Sequence, residues 1–117
     1  MNPSEDGALE PLDGDAISMT GTASQVEWAR RIKRKVNQEF DRVARSFRSV
    51  AAKQNNADRA DTEAIIAILE AKRAEVMSKE QAGYFIHDWQ DLGDQVRQMI
   101  FQDAGYQIIK FRKAARR

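Results

Sequence analysis

From Ser24 to Lys53 the chain runs without Gly or Pro, and Trp28, Ile32, Val36, Phe40, Val43, Phe47 and Val50 recur at helical spacing with Arg and Lys opposite. Side chains three and four apart share a face of an α-helix, so the pattern predicts one long amphipathic helix whose stripe presses on neighbouring elements. Thr22 or Ser24 offers a side-chain oxygen to the orphan amides of the first turn, and Glu27 stands three residues beyond Ser24 as in a capping box. About thirty residues at ~1.5 Å each make a rod of roughly 45 Å. The steps from Trp28 to Val50 average about 3.67 residues, nearer the straight-helix value than the 3.5 of a left-handed coiled coil. A bundle helix is therefore expected rather than a zipper, although Val36 to Val50 alone would suit a short coiled-coil seam.

After the stripe, KQNNAD at 53–58 predicts a turn, because Asn and Asp side chains compete with the backbone and can cap the next helix. A second helix is expected from about Arg59 to Met77, with Ile65, Ile66, Ile68, Leu69, Val76 and Met77 as apolar contacts against the first. Ser78 to Gln81 reads as another capping box that starts a new helix with almost no loop. Phe85, Ile86, Trp89, Leu92, Val96, Met99 and Ile100 continue at helical spacing, with a kink or break expected near Gly93. Gly105 fits the left-handed position just past a helix end. The apolar cluster and basic run at the C-terminal end, YQIIKFRKAARR, leave their conformation open.

Composition adds limits. A chain of 117 residues with 42% hydrophobic content is one domain's worth of material with a modest core, so self-association would help it. Zero Cys removes disulfides and thiolate metal sites, and the lack of a long apolar run removes a membrane span or secretory segment, so a cytoplasmic protein is expected. The net charge of +1 conceals segregation. Residues 1–22 carry five acids and no base, residues 23–53 nine bases and three acids, residues 54–109 five bases and ten acids, and residues 110–117 five bases alone. Blocks of opposite sign can satisfy one another within the fold, across a dimer, or on an external polyanion. Both prolines and three glycines fall in residues 1–22, which read as a disordered acidic arm able to fold back over the basic block. Residues 23–109 then form a helical bundle domain and residues 110–117 a basic tail.

Two segments, GTASQVEWARRI at 21–32 and AIIAILEAKRAEVMSKEQAGYFIHDW at 64–89, resemble a loose group of small helical bacterial and phage proteins without assigned activity. The shared pattern falls on Gly21, Thr22, Gln25, Trp28, Ala29 and Ile32, then on Ala82, Phe85, Ile86 and Asp88. Phe85 stands where the group has a second Trp, and His87 is inserted before Asp88. The resemblance implies a small helical protein of phage or mobile genetic elements and transfers no catalytic residue. Trp28 and Phe85 are expected in the core.

The strongest binding candidate is the run Arg30-Arg31-Ile32-Lys33-Arg34-Lys35, continued by Arg42, Arg45 and Arg48. At about 100° per residue, Arg30, Arg34, Arg45 and Arg48 fall away from the apolar stripe, interrupted mainly by Asp41. Lys110, Arg112 and Lys113 would extend this basic surface, as would Arg116 and Arg117. Such a ridge can recognise an acidic protein or line up phosphates, but the near-zero net charge and the lack of a reading motif weigh against nucleic acid. His87, beside Asp88 with Asp91 and Asp94 a turn or two on, reads as a solvated helix face rather than a metal or acid–base centre. The expectation is an all-α, small three- or four-helix bundle with one long N-terminal helix, acting without catalysis. No catalytic residue, cofactor or metal is assigned. Its partner is another protein held by the exposed basic helix face; the alternative is a nucleic-acid-binding accessory protein. Self-association stays open and no membrane is involved.

Overall fold

The computed structural model describes residues 19–116, and the acidic arm drawn over residues 1–22 lies almost wholly outside them. Five helices succeed one another: α1 (Ala23–Ala51), α2 (Asn56–Met77), α3 (Ala82–Asp88), α4 (Leu92–Phe101) and α5 (Ala104–Ala115). Among the described residues the all-α expectation holds, with no strand, but they form one or two more helices than the pattern implied. The extra breaks are made by side chains. Between α3 and α4 the backbone turns at Trp89 and Asp91, and the Gln95 amide spans the gap, accepting from the Asp91 amide at 2.8 Å and donating to the Asp88 carbonyl. The break therefore falls just ahead of Gly93. At the next junction the Asp103 carboxylate accepts the amides of Gly105 and Tyr106 and starts α5. Gly105 thus stands in the first turn of a helix, not in the left-handed position expected of it. An added Cβ there would lie 2.9 Å from the capping oxygen and 3.3 Å from Ile68 Cδ1.

Helix α1 starts where the sequence indicates, through Thr22. Its hydroxyl accepts from the Gln25 amide at 3.2 Å while the Gln25 side chain accepts from the Thr22 amide at 3.0 Å, so the box is Thr22 with Gln25 rather than Ser24 with Glu27. Helix α2 begins three residues earlier than expected, capped by Asn55, whose carboxamide accepts from the Asp58 amide at 2.9 Å. Ser78 does not open α3. It closes α2, donating its hydroxyl to the Glu75 carbonyl at 2.6 Å. The start of α3 is held instead by a short parallel bridge in which Thr20 N–H donates to the Glu80 carbonyl and Ala82 N–H to the Thr20 carbonyl. Gly21, at φ +144, carries the chain from that bridge into the α1 cap, and an added Cβ would meet Ala82 Cβ at 3.0 Å. The segments 21–32 and 64–89 therefore meet at one junction, where Gly21, Thr22 and Gln25 have structural tasks.

The core gathers around α1. Ala29, Val36, Phe40, Val43 and Ala44 pack with Leu69 and Val76 of α2, Ala82 and Phe85 of α3, Trp89, and Val96 and Ile100 of α4. Phe40 and Trp89 meet edge to face with centroids 6.2 Å apart. Trp28 is not in this core; it is 54% exposed. The stripe's first three steps are all of four residues, each rotating the face by about 40°, so Trp28 stands about 80° around the helix from Val36. Lys33 takes an inward position instead, between Ala29 and Val36, with its ammonium over the Phe85 ring at 5.4 Å and reaching the Lys79 carbonyl at 3.4 Å. The long aliphatic stem of lysine tolerates such a site when the charged end finds polar and aromatic partners.

Candidate functional site

The nine basic residues proposed for partner binding lie on two helices. Arg30, Arg31, Arg34, Arg42, Arg45 and Arg48 belong to α1, while Lys110, Arg112 and Lys113 belong to α5. The boundary drawn at residue 110 falls inside α5, so the stretch read as a tail is helical and packs against α2. Much of the charge is taken up internally. Arg31 pairs with Glu27 at 3.0 Å, Arg42 with Glu39, Arg48 with Glu70 at 3.1 Å, and Arg112 with Asp61 at 2.9 Å. Asp41, which interrupts the ridge, is drawn off by Arg73 of α2 at 2.6 Å. Arg30 is half-buried. Arg34 and Arg45 stay exposed, with no ion-pair partner among the described residues, as does the adjacent Lys35. Among the described residues the bases of α5 are matched by Asp58 and Asp61 of α2, whereas Arg31 and Arg42 of α1 pair with acids of their own helix. Each exposed pair contributes at most about 1 kcal/mol, so their role is more to direct packing than to hold it.

The densest cluster ties α5 to α2. Asp61, whose side chain is almost fully covered, receives both Arg112 and Arg116, and Arg116 also reaches Asp58 at 3.2 Å. At the other end of the helix pair, Lys72 meets Asp103 at 3.2 Å. Hydrogen bonds from Arg116 and then Arg112 hold the Asp61 carboxyl below the usual aspartate range, Lys72 does the same to Asp103, and Arg42 lowers Glu39. In each case the folded chain favours the charged form, so the unfolded chain binds protons at higher pH than the folded one. The stabilisation is complete above the ordinary carboxylate pKa and fades as pH falls through the lower folded value, a window below about pH 4. The expected result is a denaturation midpoint nearly level from pH 5 upward for these groups and dropping below about pH 4. An Asp61→Asn variant should drop less steeply there and show faster amide exchange in α5 at neutral pH. Unchanged exchange in α5 would contradict the clasp.

What sequence reading missed is apolar. Ile109 of α5 is buried, but on the other side of the helix Ile108 is 63% and Phe111 79% exposed. Ala104, Ile108, Phe111 and Ala115 are spaced four, three and four apart and form an outer row on α5, each exposed. A two-sided reading of YQIIKFRK, with one stripe through Tyr106 and Ile109 and another through Ile108 and Phe111, was the available signal. A groove of about 380 Å³ opens where the end of α1, the start of α2 and α5 converge, with Phe47, Val50, Ile65 and Ile109 among its walls. His87 is exposed at the end of α3, and no three His, Asp or Glu side chains converge on a common point among the described residues. No described helix is long and apolar enough to cross a membrane. No family model, curated protein or solved structure matches this chain.

Proposed function

We propose that this chain is a protein-interaction module: a small helical bundle that works by binding another protein, without catalysis, in a cytoplasmic and phage or mobile-element setting. The observation that carries the reading is the outer row of α5, where Ile108 and Phe111 stand in water on a helix that is packed and ion-paired to α2. Large apolar side chains exposed side by side cost free energy until a partner covers them, and an isoleucine–phenylalanine pair is an effective anchor. The basic residues Lys110, Arg112 and Lys113 of the same helix then act as a charged rim that steers and orients an acidic partner.

A nucleic-acid reading keeps one specific support. Arg34, Lys35 and Arg45 are unpaired among the described residues, and exposed Trp28 shares the flank of Arg31 and Lys35, where it could stack on a base. Against it stand the ion pairs that occupy Arg31, Arg42, Arg48 and Arg112. The comparison is direct: titrate the chain and an Arg34→Glu/Arg45→Glu variant into labelled random-sequence DNA at low salt. The expected result is weak binding, closely similar for both. Tight binding by the chain, with a loss of tenfold or more in the variant, would transfer the conclusion to nucleic acid.

A further inference from the structure

The groove at the convergence of α1, α2 and α5 differs from the outer row of α5. It is concave, and its walls are largely apolar apart from Gln54 and Thr62: Val50 is 47% exposed, Phe47 and Ile65 are half-buried, and Ile109 closes it from α5. Lys110 and Lys113 line it from the same helix. Arg112 and Arg116 are held by Asp58 and Asp61, but neither lysine has a carboxylate within ion-pair distance among the described residues. Lys110 lies 6.0 Å from the Tyr106 ring centroid, and no acidic side chain is among the groove's lining residues. Among the described residues the site therefore pairs an uncovered apolar wall with two ammonium groups without counter-charge.

We infer that this groove captures an acidic peptide segment of a partner protein, one that seats a large apolar side chain between Val50, Ile65 and Ile109 and places flanking carboxylates on Lys110 and Lys113. The volume of about 380 Å³ suits one or two such side chains. Apolar anchors supply affinity, and the lysines supply orientation and rate of encounter. A second copy of this chain is a poor occupant if it offers its own α5, because Ala104–Ala115 carries Lys110, Arg112 and Lys113 and no acid, so like charges would meet. The inference rests on the protein-binding reading and names the chemistry of the partner.

The test is selection of a random peptide library displayed on phage against the immobilised full chain, followed by titration of the enriched peptides. Enriched peptides should carry a leucine or aromatic residue flanked by Asp or Glu, and their binding should weaken as salt rises. A Lys110→Glu/Lys113→Glu variant and, separately, Val50→Asp should each weaken binding by about tenfold or more. All three positions lie at least partly in solvent, and an unchanged thermal midpoint confirms folding. A Gln38→Ser variant, at an exposed position of α1, should bind the same peptides normally, and an Ile108→Ser/Phe111→Ser variant is titrated beside it. Basic or uncharged enriched peptides, or binding indifferent to the groove variants, would overturn the inference. If binding instead fails only in the Ile108/Phe111 variant, the groove assignment is wrong while the protein-binding reading stands. Enrichment of nothing, together with self-association of the chain abolished by Val50→Asp, would give the groove to a second copy.

Discussion

Replacing Phe40 by alanine is expected to lower the unfolding free energy by about 3–5 kcal/mol. Phe40 is fully buried at the centre of α1, edge-on to Trp89, with the Arg73 guanidinium 5.9 Å from its ring centroid. Truncation would remove the ring's own transfer free energy, strip Trp89 of its aromatic partner and leave a void that the rigid α1 cannot close by bending. A domain of this size is typically stable by only about 5–15 kcal/mol, so the variant stands near unfolding at room temperature. Guanidinium titration followed by helical circular dichroism measures it: the midpoint should fall sharply with the slope unchanged. A loss below about 1 kcal/mol would place Phe40 outside the core and undo the helical arrangement.

The second large effect is expected from Gly21→Val, at a position with no side chain. Gly21 has a φ of +144, which a β-branched residue adopts only under strain, and a new Cβ would stand 3.0 Å from Ala82 Cβ. The backbone here also joins the Thr20 bridge to the Thr22 cap, so relief by moving would cost the hydrogen bonds from Thr20 to Glu80 and from Ala82 to Thr20. On the order of 2 kcal/mol should be lost. Amide exchange should quicken at the start of α1 and in α3 while α5 keeps its protection. Uniform destabilisation of all five helices at once would be the contrary result, because it denies the junction a local role.

How much of this was legible depends on which force set each element. The long helix could be read almost to the residue, because its stripe of Val36, Phe40, Val43 and Phe47 and the absence of Gly and Pro leave no competing structure. Its flank departs from the pattern at Trp28, apolar yet exposed, and at Lys33, charged yet buried. Whether a site at the edge of a stripe is covered depends on where the short α3 ends, and that is a tertiary fact. Helix boundaries were misjudged where one polar residue serves either side of a turn. Ser78 could cap a following helix or close a preceding one, and Gln95 bridges two helices from within the second. The charge blocks announced that complementarity was available, but the pairing of Arg112 and Arg116 with Asp61 required knowing that α5 runs back along α2. The candidate surface was legible as basic and not as apolar. The two stripes of α5 overlap in sequence at Ile108 and Ile109, and only packing against α2 shows which of the adjacent isoleucines is left outside.

That distinction is where function enters. Internal ion pairs occupy much of the basic surface, so the features left without partners are the outer row of α5, the groove with Lys110 and Lys113 beside it, and the cationic positions Arg34, Lys35 and Arg45 on α1. These are the places among the described residues where contact with another molecule would change the free energy most.

The decisive experiment is site-specific photo-crosslinking in living cells, with the photoreactive analogue p-benzoylphenylalanine in place of Phe111 and, as the comparison, at exposed Gln38 on α1. From position 111 one discrete adduct with another protein is expected, resistant to nuclease and absent or far weaker from position 38. No adduct from position 111, equal labelling from both positions, or an adduct that nuclease removes would refute the outer row of α5 as the protein-binding surface.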